Sequence, residues 1–295
     1  MLDFENPYKV YAPDFLSAGH TILFTSAADQ RPITFNIIKP FEPWTKSAVF
    51  LVHADQLGPE PVVLKVYDPR FLDDRIFQSS VQRPRPWSLQ AEQAANTLPD
   101  DVDQGEIWDP DPDESDIEGT RYRAAIWEKY YRGLLYECYD SESRAYEVLK
   151  QYQGSAIPRM LLTGTVTFSD ERAIHPPAVV IEYIPDAVCI GDIAPDALSV
   201  ELCSPLVHAI DDFKSHGVTH GDVGYTNVLF TPKDRPTRAV LIDFGLAGFR
   251  QGNEDDDEWQ YVVEWRGDSH RIRHLLKEKG IVFPRLPSSL RPSSP

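Results

Sequence analysis

At 295 residues, with 42% hydrophobic and 25% charged positions, the chain can hold one large domain or two smaller lobes. Its 46 acidic against 29 basic residues give a formal net charge of −17, which repels nucleic-acid phosphates and excludes nonspecific binding to them. Three cysteines (Cys138, Cys189, Cys203) are too few and too scattered for a disulfide framework or a zinc site, and no apolar run reaches membrane-spanning length. The first residues, Met1-Leu2-Asp3-Phe4-Glu5-Asn6, have neither the basic nor the apolar segment of a secretory signal. The expected setting is intracellular, cytoplasmic or nuclear, with no membrane contact.

Residues 1–31 are mixed, and 15–24 read as a short helix or strand. Residues 33–38 and 48–52 read as strands joined by the turn 39–47. A third strand, 61–67, carries Lys65 inside an apolar run; a buried ammonium is costly, so Lys65 calls for an anionic partner or an exposed edge. Residues 73–119 read as an insertion: Arg83-Pro84-Arg85-Pro86 is proline-rich, and 100–118 holds ten acids and no Lys or Arg. That composition buries little, so the insertion is expected to be disordered, with a docking arm for a basic partner protein as its functional alternative.

Residues 121–152 read as a helix with Gly133 as a break. Glu142, Ala145, Tyr146 and Leu149 share one face, which puts Glu142 on the seam against the sheet as the favoured partner of Lys65. Glu137 is the other candidate, and Glu147 falls on the solvated side. Strands are expected over 157–162 and 178–185. A helix over 195–215 buries Leu202, Leu206, Val207, Ile210 and Phe213 and is stopped by Gly217.

The most informative stretch is His220-Gly221-Asp222-Val223-Gly224-Tyr225-Thr226-Asn227, followed by apolar Val228-Leu229-Phe230, a turn-rich segment, apolar Ala239-Val240-Leu241, and Ile242-Asp243-Phe244-Gly245. The two apolar runs predict an antiparallel hairpin turning near Asp234. Pairing about that turn brings Asn227 beside Asp243 at the open end, next to Asp222. Two carboxylates and an amide oxygen at one place suit a hard cation such as Mg²⁺ bound to phosphate. Two short helices, 259–265 and 269–279, and a loose Pro/Ser-rich tail over 284–295 complete the chain.

These two motifs, in this order, resemble the core of the protein-kinase-like superfamily, where H-x-D-x-x-x-x-N precedes D-F-G. Val62-Val63-Leu64-Lys65 similarly resembles the V-A-I-K strand. H-G-D is similar to the aminoglycoside-phosphotransferase and choline-kinase-like branch and to fungal kinase-like proteins. The short end after I-D-F-G-L is similar to that of the small atypical kinase working with the tRNA threonylcarbamoyl machinery.

The resemblance implies an α+β, bilobal fold: an antiparallel-sheet N-lobe over 1–183, including the insertion, and a reduced, mainly helical C-lobe over 184–283. It implies ATP and Mg²⁺ as cofactors, Asp222 as catalytic base, and Asn227 and Asp243 as metal ligands. Lys65, set by Glu142, holds the α- and β-phosphates; the Glu182 carbonyl and Ile184 amide meet adenine. His220 is implied to support the loop. The 39–47 turn lacks the superfamily's glycines, leaving Thr45, Ser47 or backbone amides to reach a phosphate. Gly221 replaces the arginine that reads an activation-loop phosphate. The implied activity is phosphoryl transfer to a hydroxyl, slightly favouring a protein over a small molecule, with a nucleotide-binding or scaffolding pseudokinase as the alternative.

Overall fold

Strict alternation in the first strands builds the first unit. The computed structural model describes residues 10–76, 84–99, 102, 104–113 and 115–283, and the expectations for the N-terminal residues 1–9 and the 284–295 tail lie outside them. In β1 (Thr21–Ser26) every second residue is buried, and in β2 (Pro32–Phe41) Ile33, Phe35 and Ile37 are. β3 (Ala48–His53), β4 (Val62–Val66), β5 (Met160–Thr167) and β6 (Pro177–Glu182) follow, all antiparallel to their neighbours. The sheet is antiparallel, as the resemblance implies. Its closure is not anticipated: β1 pairs with β2 on one side and β5 on the other, giving the closed order β1-β2-β3-β4-β6-β5.

Closure rests on two local features. Register shifts between Ile37 and Lys39, and between Met160 and Leu162, mark irregularities of the kind that let strands bend. At the β1–β5 seam a Cβ on Gly164 would lie 2.1 Å from the Thr25 carbonyl oxygen, so only glycine permits the approach. Phe24, Phe35, Phe50, Leu64, Val166 and Val180 fill the interior, each such side chain contributing about 1.5–3 kcal/mol by burial. The glycine-free β2–β3 turn is anchored to this core. Trp44 is 2% exposed, its ring lies edge-on to Phe50 and Phe71, and its backbone N–H donates to the Val10 carbonyl at 2.8 Å.

The described part of 73–119 departs from the disorder expected of it, residues 77–83, 100, 101, 103 and 114 lying outside the described residues. It contains α1 (Leu89–Ala95), capped by Ser88 Oγ, and the start of α2 (Ile117–Val148). Ala91 and Ala95 are buried, and so is Glu92, which accepts from Trp87 Nε1, the Ala173 N–H and the Arg172 guanidinium. Arg172 also donates to both oxygens of Asp68, just beyond β4, at 2.7 and 3.1 Å. The acids that make the stretch read as solvated lie over 100–118, where Asp109, Asp111, Asp113, Asp116 and Glu118 are exposed. What composition does not show is that α1 docks through Glu92 to Arg172, eighty residues away. α2 also runs unbroken through Gly133. The cost of one interior glycine, about 1 kcal/mol, is offset by burial of Tyr131 and Leu135 around it.

The division into units also differs from expectation. The described residues through Ser143, with Met160–Tyr183, form the first unit; Arg144–Arg159 joins the chain from Ile184 onward in the second. The second unit contains β7 (Val188–Cys189), α3 (Val200–Asp212), β8 (Val218–Thr219), β9 (Val228–Thr231), β10 (Arg238–Leu241), β11 (Gly248–Phe249), α4 (Asp256–Arg266) and α5 (Asp268–Glu278). Its strands form a three-stranded sheet, β10-β9-β7, and a two-stranded one, β11-β8. α3 is shorter than expected because Ser199 caps it, its Oγ accepting from the Leu202 N–H. Among the described residues no helix is long and apolar enough to cross a membrane.

Burial pushes the Asp68 carboxyl up, but Arg70 and Arg172 outweigh it and hold the group below its usual range. Removing the shared cation by Arg172→Met leaves buried Glu92 without its arginine and Asp68 with Arg70 alone, and should cost about 3–5 kcal/mol. Urea unfolding measures this; an unchanged midpoint would mean that α1 is not docked through Arg172.

Candidate functional site

The predicted hairpin is present, with Arg238↔Thr231 through Leu241↔Val228 in register. Pairing continues one step further, because the Ile242 N–H donates to the Asn227 carbonyl at 2.9 Å. Asn227 and Asp243 therefore end the two arms side by side along the backbone. Asn227 Nδ2 donates to both the carbonyl oxygen and Oδ2 of Asp222, each at 2.9 Å. Both amide hydrogens are thus used, and Asn227 Oδ1 accepts from the Thr226 hydroxyl at 3.3 Å. Asp222 is exposed and Asp243 half-buried. Asp243 adopts φ +71°, a left-handed conformation that favours glycine, Asn and Asp and re-aims the chain just after the strand.

His220 ties the two motifs together. Its Nδ1 accepts from the Asp222 N–H at 3.1 Å, and its Nε2 lies 3.0 Å from the Ile242 carbonyl. A backbone amide only donates and a carbonyl only accepts, so the ring is the neutral tautomer protonated on Nε2. Burial pushes the imidazole pKa down, against the pull of Asp268, Asp243 and Asp222. Phe244 is fully buried and packs edge-on against His220, with centroids 4.6 Å apart, and against Tyr146 and Phe213. His220 thus links the loop backbone at Asp222 to the hairpin backbone at Ile242.

Three contributors escaped the sequence reading. Asp268, the first residue of α5, accepts from the His220 N–H on Oδ2 at 2.6 Å and from the Gly221 N–H on Oδ1 at 3.0 Å. Arg266, at the end of α4, explains Gly221. A Cβ there would meet Arg266 Nη1 at 2.7 Å and the Leu246 carbonyl at 2.6 Å, and φ at this position is +78°. Both contacts join residues far apart in sequence. The faint signal was Gly267-Asp268, a glycine followed by an acid at a helix start. The third, Tyr67, belongs to the other unit.

In the first unit, Lys65 of β4 is ion-paired with Glu142 Oε2, and the Tyr67 hydroxyl donates to the same oxygen. Glu142 is 0% exposed, whereas Glu137 is exposed, so the lysine's partner is the seam residue. Glu182 ends β6 opposite Val62, and Ile184 opens the second unit as a buried residue. Ser47 is buried just before β3, and no hydrogen bond or ion pair among the described residues joins it to the other predicted positions. The predicted residues thus fall into two groups, Lys65 with Glu142 and Asp222 with Asn227 and Asp243. No cluster of three or more His, Cys, Asp or Glu positioned to hold a metal occurs among the described residues. The donor set at the hairpin mouth instead suits a cation that shares its ligands with phosphate.

No family model matches the sequence, and no curated protein matches it. Among solved structures, the kinase PK-1 of Cydia pomonella granulovirus is similar over 73% of this chain and 55% of its own, with 13% identity and a TM-score of 0.38. This chain therefore spans little more than half of that kinase's length.

Two outcomes follow from the geometry. Unfolded, His220 takes up a proton below its ordinary pKa of 6.5; folded, it stays neutral to lower pH. The unfolded state then binds more protons, and stability falls as pH drops from about 6.5 towards the folded pKa. Unfolding measured from pH 7.5 to 5 should show this, with a slope shallower in His220→Gln by up to about 1.4 kcal/mol per pH unit. Gly221→Ala should lower stability by at least about 1–2 kcal/mol, since its φ alone costs that much for a residue with a Cβ; thermal unfolding checks it.

Proposed function

We propose that the protein is an ATP- and Mg²⁺-dependent phosphotransferase of the protein-kinase-like type. It moves the γ-phosphoryl group to a hydroxyl, a protein serine or threonine slightly ahead of a small molecule. The observation carrying this reading is the β9–β10 hairpin: it hydrogen-bonds Asn227 to Asp222 and delivers Asp243 at its other arm.

In this reading Asp222, with Oδ2 occupied by Asn227, uses Oδ1 to orient the acceptor hydroxyl and take its proton. The acceptor oxygen bonds to phosphorus as the bond to the departing ADP breaks. Asn227 Oδ1 and the Asp243 carboxylate would hold Mg²⁺, which would neutralise phosphate charge. Lys65, tethered by Glu142, binds phosphate, and the Glu182 carbonyl and Ile184 amide take the adenine edge. Positioning and electrostatics carry the rate, with no covalent intermediate. A partner protein meeting the acidic 104–113 stretch would be basic.

One observation favours a second reading, a nucleotide-binding or scaffolding pseudokinase: the β2–β3 turn has no glycine and is pinned by buried Trp44. Mg²⁺-dependent ATP turnover, measured alone, with protein acceptors and with pooled metabolites, separates the two. Turnover should fall about 10²–10⁴-fold in Asp222→Asn, the usual range for losing a general base. Without turnover, stabilisation by Mg·ATP of about 2.7 kcal/mol at a hundredfold excess over Kd would favour the pseudokinase. Neither turnover nor stabilisation would defeat the nucleotide-site assignment itself and leave only a scaffold.

A further inference from the structure

We infer that Tyr67 is a positioning residue for nucleotide phosphate binding, acting through Glu142 as the donor that holds this carboxylate when Lys65 turns to phosphate. The inference rests on the phosphotransferase reading above. Lys65 and Tyr67 are two residues apart, so they leave the β4 chain on the same face, and both reach Glu142 Oε2. The other oxygen, Oε1, is buried and has no hydrogen-bond partner among the described residues. Everything that compensates this fully buried carboxylate therefore converges on one atom.

That convergence sets a constraint. A lysine that must also serve a phosphate cannot be the sole compensation of a buried carboxylate, because leaving that charge uncompensated is strongly unfavourable. A second donor that never leaves removes the conflict. Tyr67 meets the requirement: it is 1% exposed, and its ring is held edge-on by Tyr139, one helical turn before Glu142 on α2, with centroids 5.7 Å apart. The Lys65 ammonium lies 5.6 Å from the same ring's centroid, so Tyr67 also lines the lysine's position. Without the phenol, Glu142 draws Lys65 back to itself and away from phosphate.

The test is a double-mutant cycle on Mg·ATP affinity and turnover, using the wild-type full chain, Tyr67→Phe, Glu142→Gln and the double variant. Tyr67→Phe should weaken nucleotide binding about tenfold, as expected for losing a hydrogen bond to a charged group. It should raise KM for ATP more than it lowers kcat. In the Glu142→Gln background it should add little, whereas a merely structural tyrosine would contribute independently in both backgrounds. Unchanged affinity in Tyr67→Phe, or independent effects in the cycle, would overturn the inference while leaving the phosphotransferase reading intact. Failure of the wild type itself to bind Mg·ATP would instead remove the reading on which the inference stands. Should Tyr67→Phe not fold, 3,5-difluorotyrosine at position 67 keeps the ring and acidifies the phenol. Nucleotide affinity should then fall as pH rises through the phenol's titration, and a profile as flat as the wild type's would overturn the inference.

Discussion

The second unit depends on a carboxylate that touches no part of the proposed chemistry. Asp268 opens α5 and accepts from two consecutive backbone N–H groups, those of His220 and Gly221. A charged acceptor serving two backbone donors is among the stronger hydrogen-bonded arrangements available to a protein. It fixes where His220 lies, and His220 in turn fixes the distance between the Asp222 amide and the Ile242 carbonyl. Phe244 then fills the space behind the imidazole. Helix start, loop, histidine and hairpin thus form a chain of constraints with Asp222 and Asp243 at its end.

The first unit solves a different problem by similar means. An ionised lysine on a core strand requires compensation, and α2 supplies it from a residue with no exposed surface. The surroundings of Asp68 repeat the theme, with Arg70 and Arg172 gathered on one buried acid and Glu92 added beyond it. The strongly acidic composition therefore conceals local neutrality. Much of the negative charge stays at the surface, whereas each of these buried acids has its cation.

What could be read from the sequence was local. The hairpin follows from two apolar runs about a turn, and the Lys65–Glu142 pair follows from strand and helix periodicity. What could not be read depends on separation along the chain. Arg172 makes sense only beside Asp68 and Glu92, and without it nothing in the sequence shows that α1 is docked. Barrel closure depends on β1 meeting β5, two strands with nearly the whole first unit between them. Gly221 looked like the loss of an arginine, but the side chains of α4 leave no room for one there. Tyr67 was passed over because a tyrosine at a strand's end is ordinary until the atom receiving its proton is known.

Closure of the six strands also decides how the first unit can be recognised. In the closed ring every strand has a hydrogen-bonded neighbour on each side over part of its length: β2 pairs with β1 through 32–36 and with β3 through 36–41. An incoming peptide therefore finds no edge strand to extend, only short stretches paired on one side, which disfavours recognition by strand addition. The same property protects it from pairing edge to edge with copies of itself. Any partner of this unit must be selected by side chains and loops, which change readily in evolution without disturbing the ring.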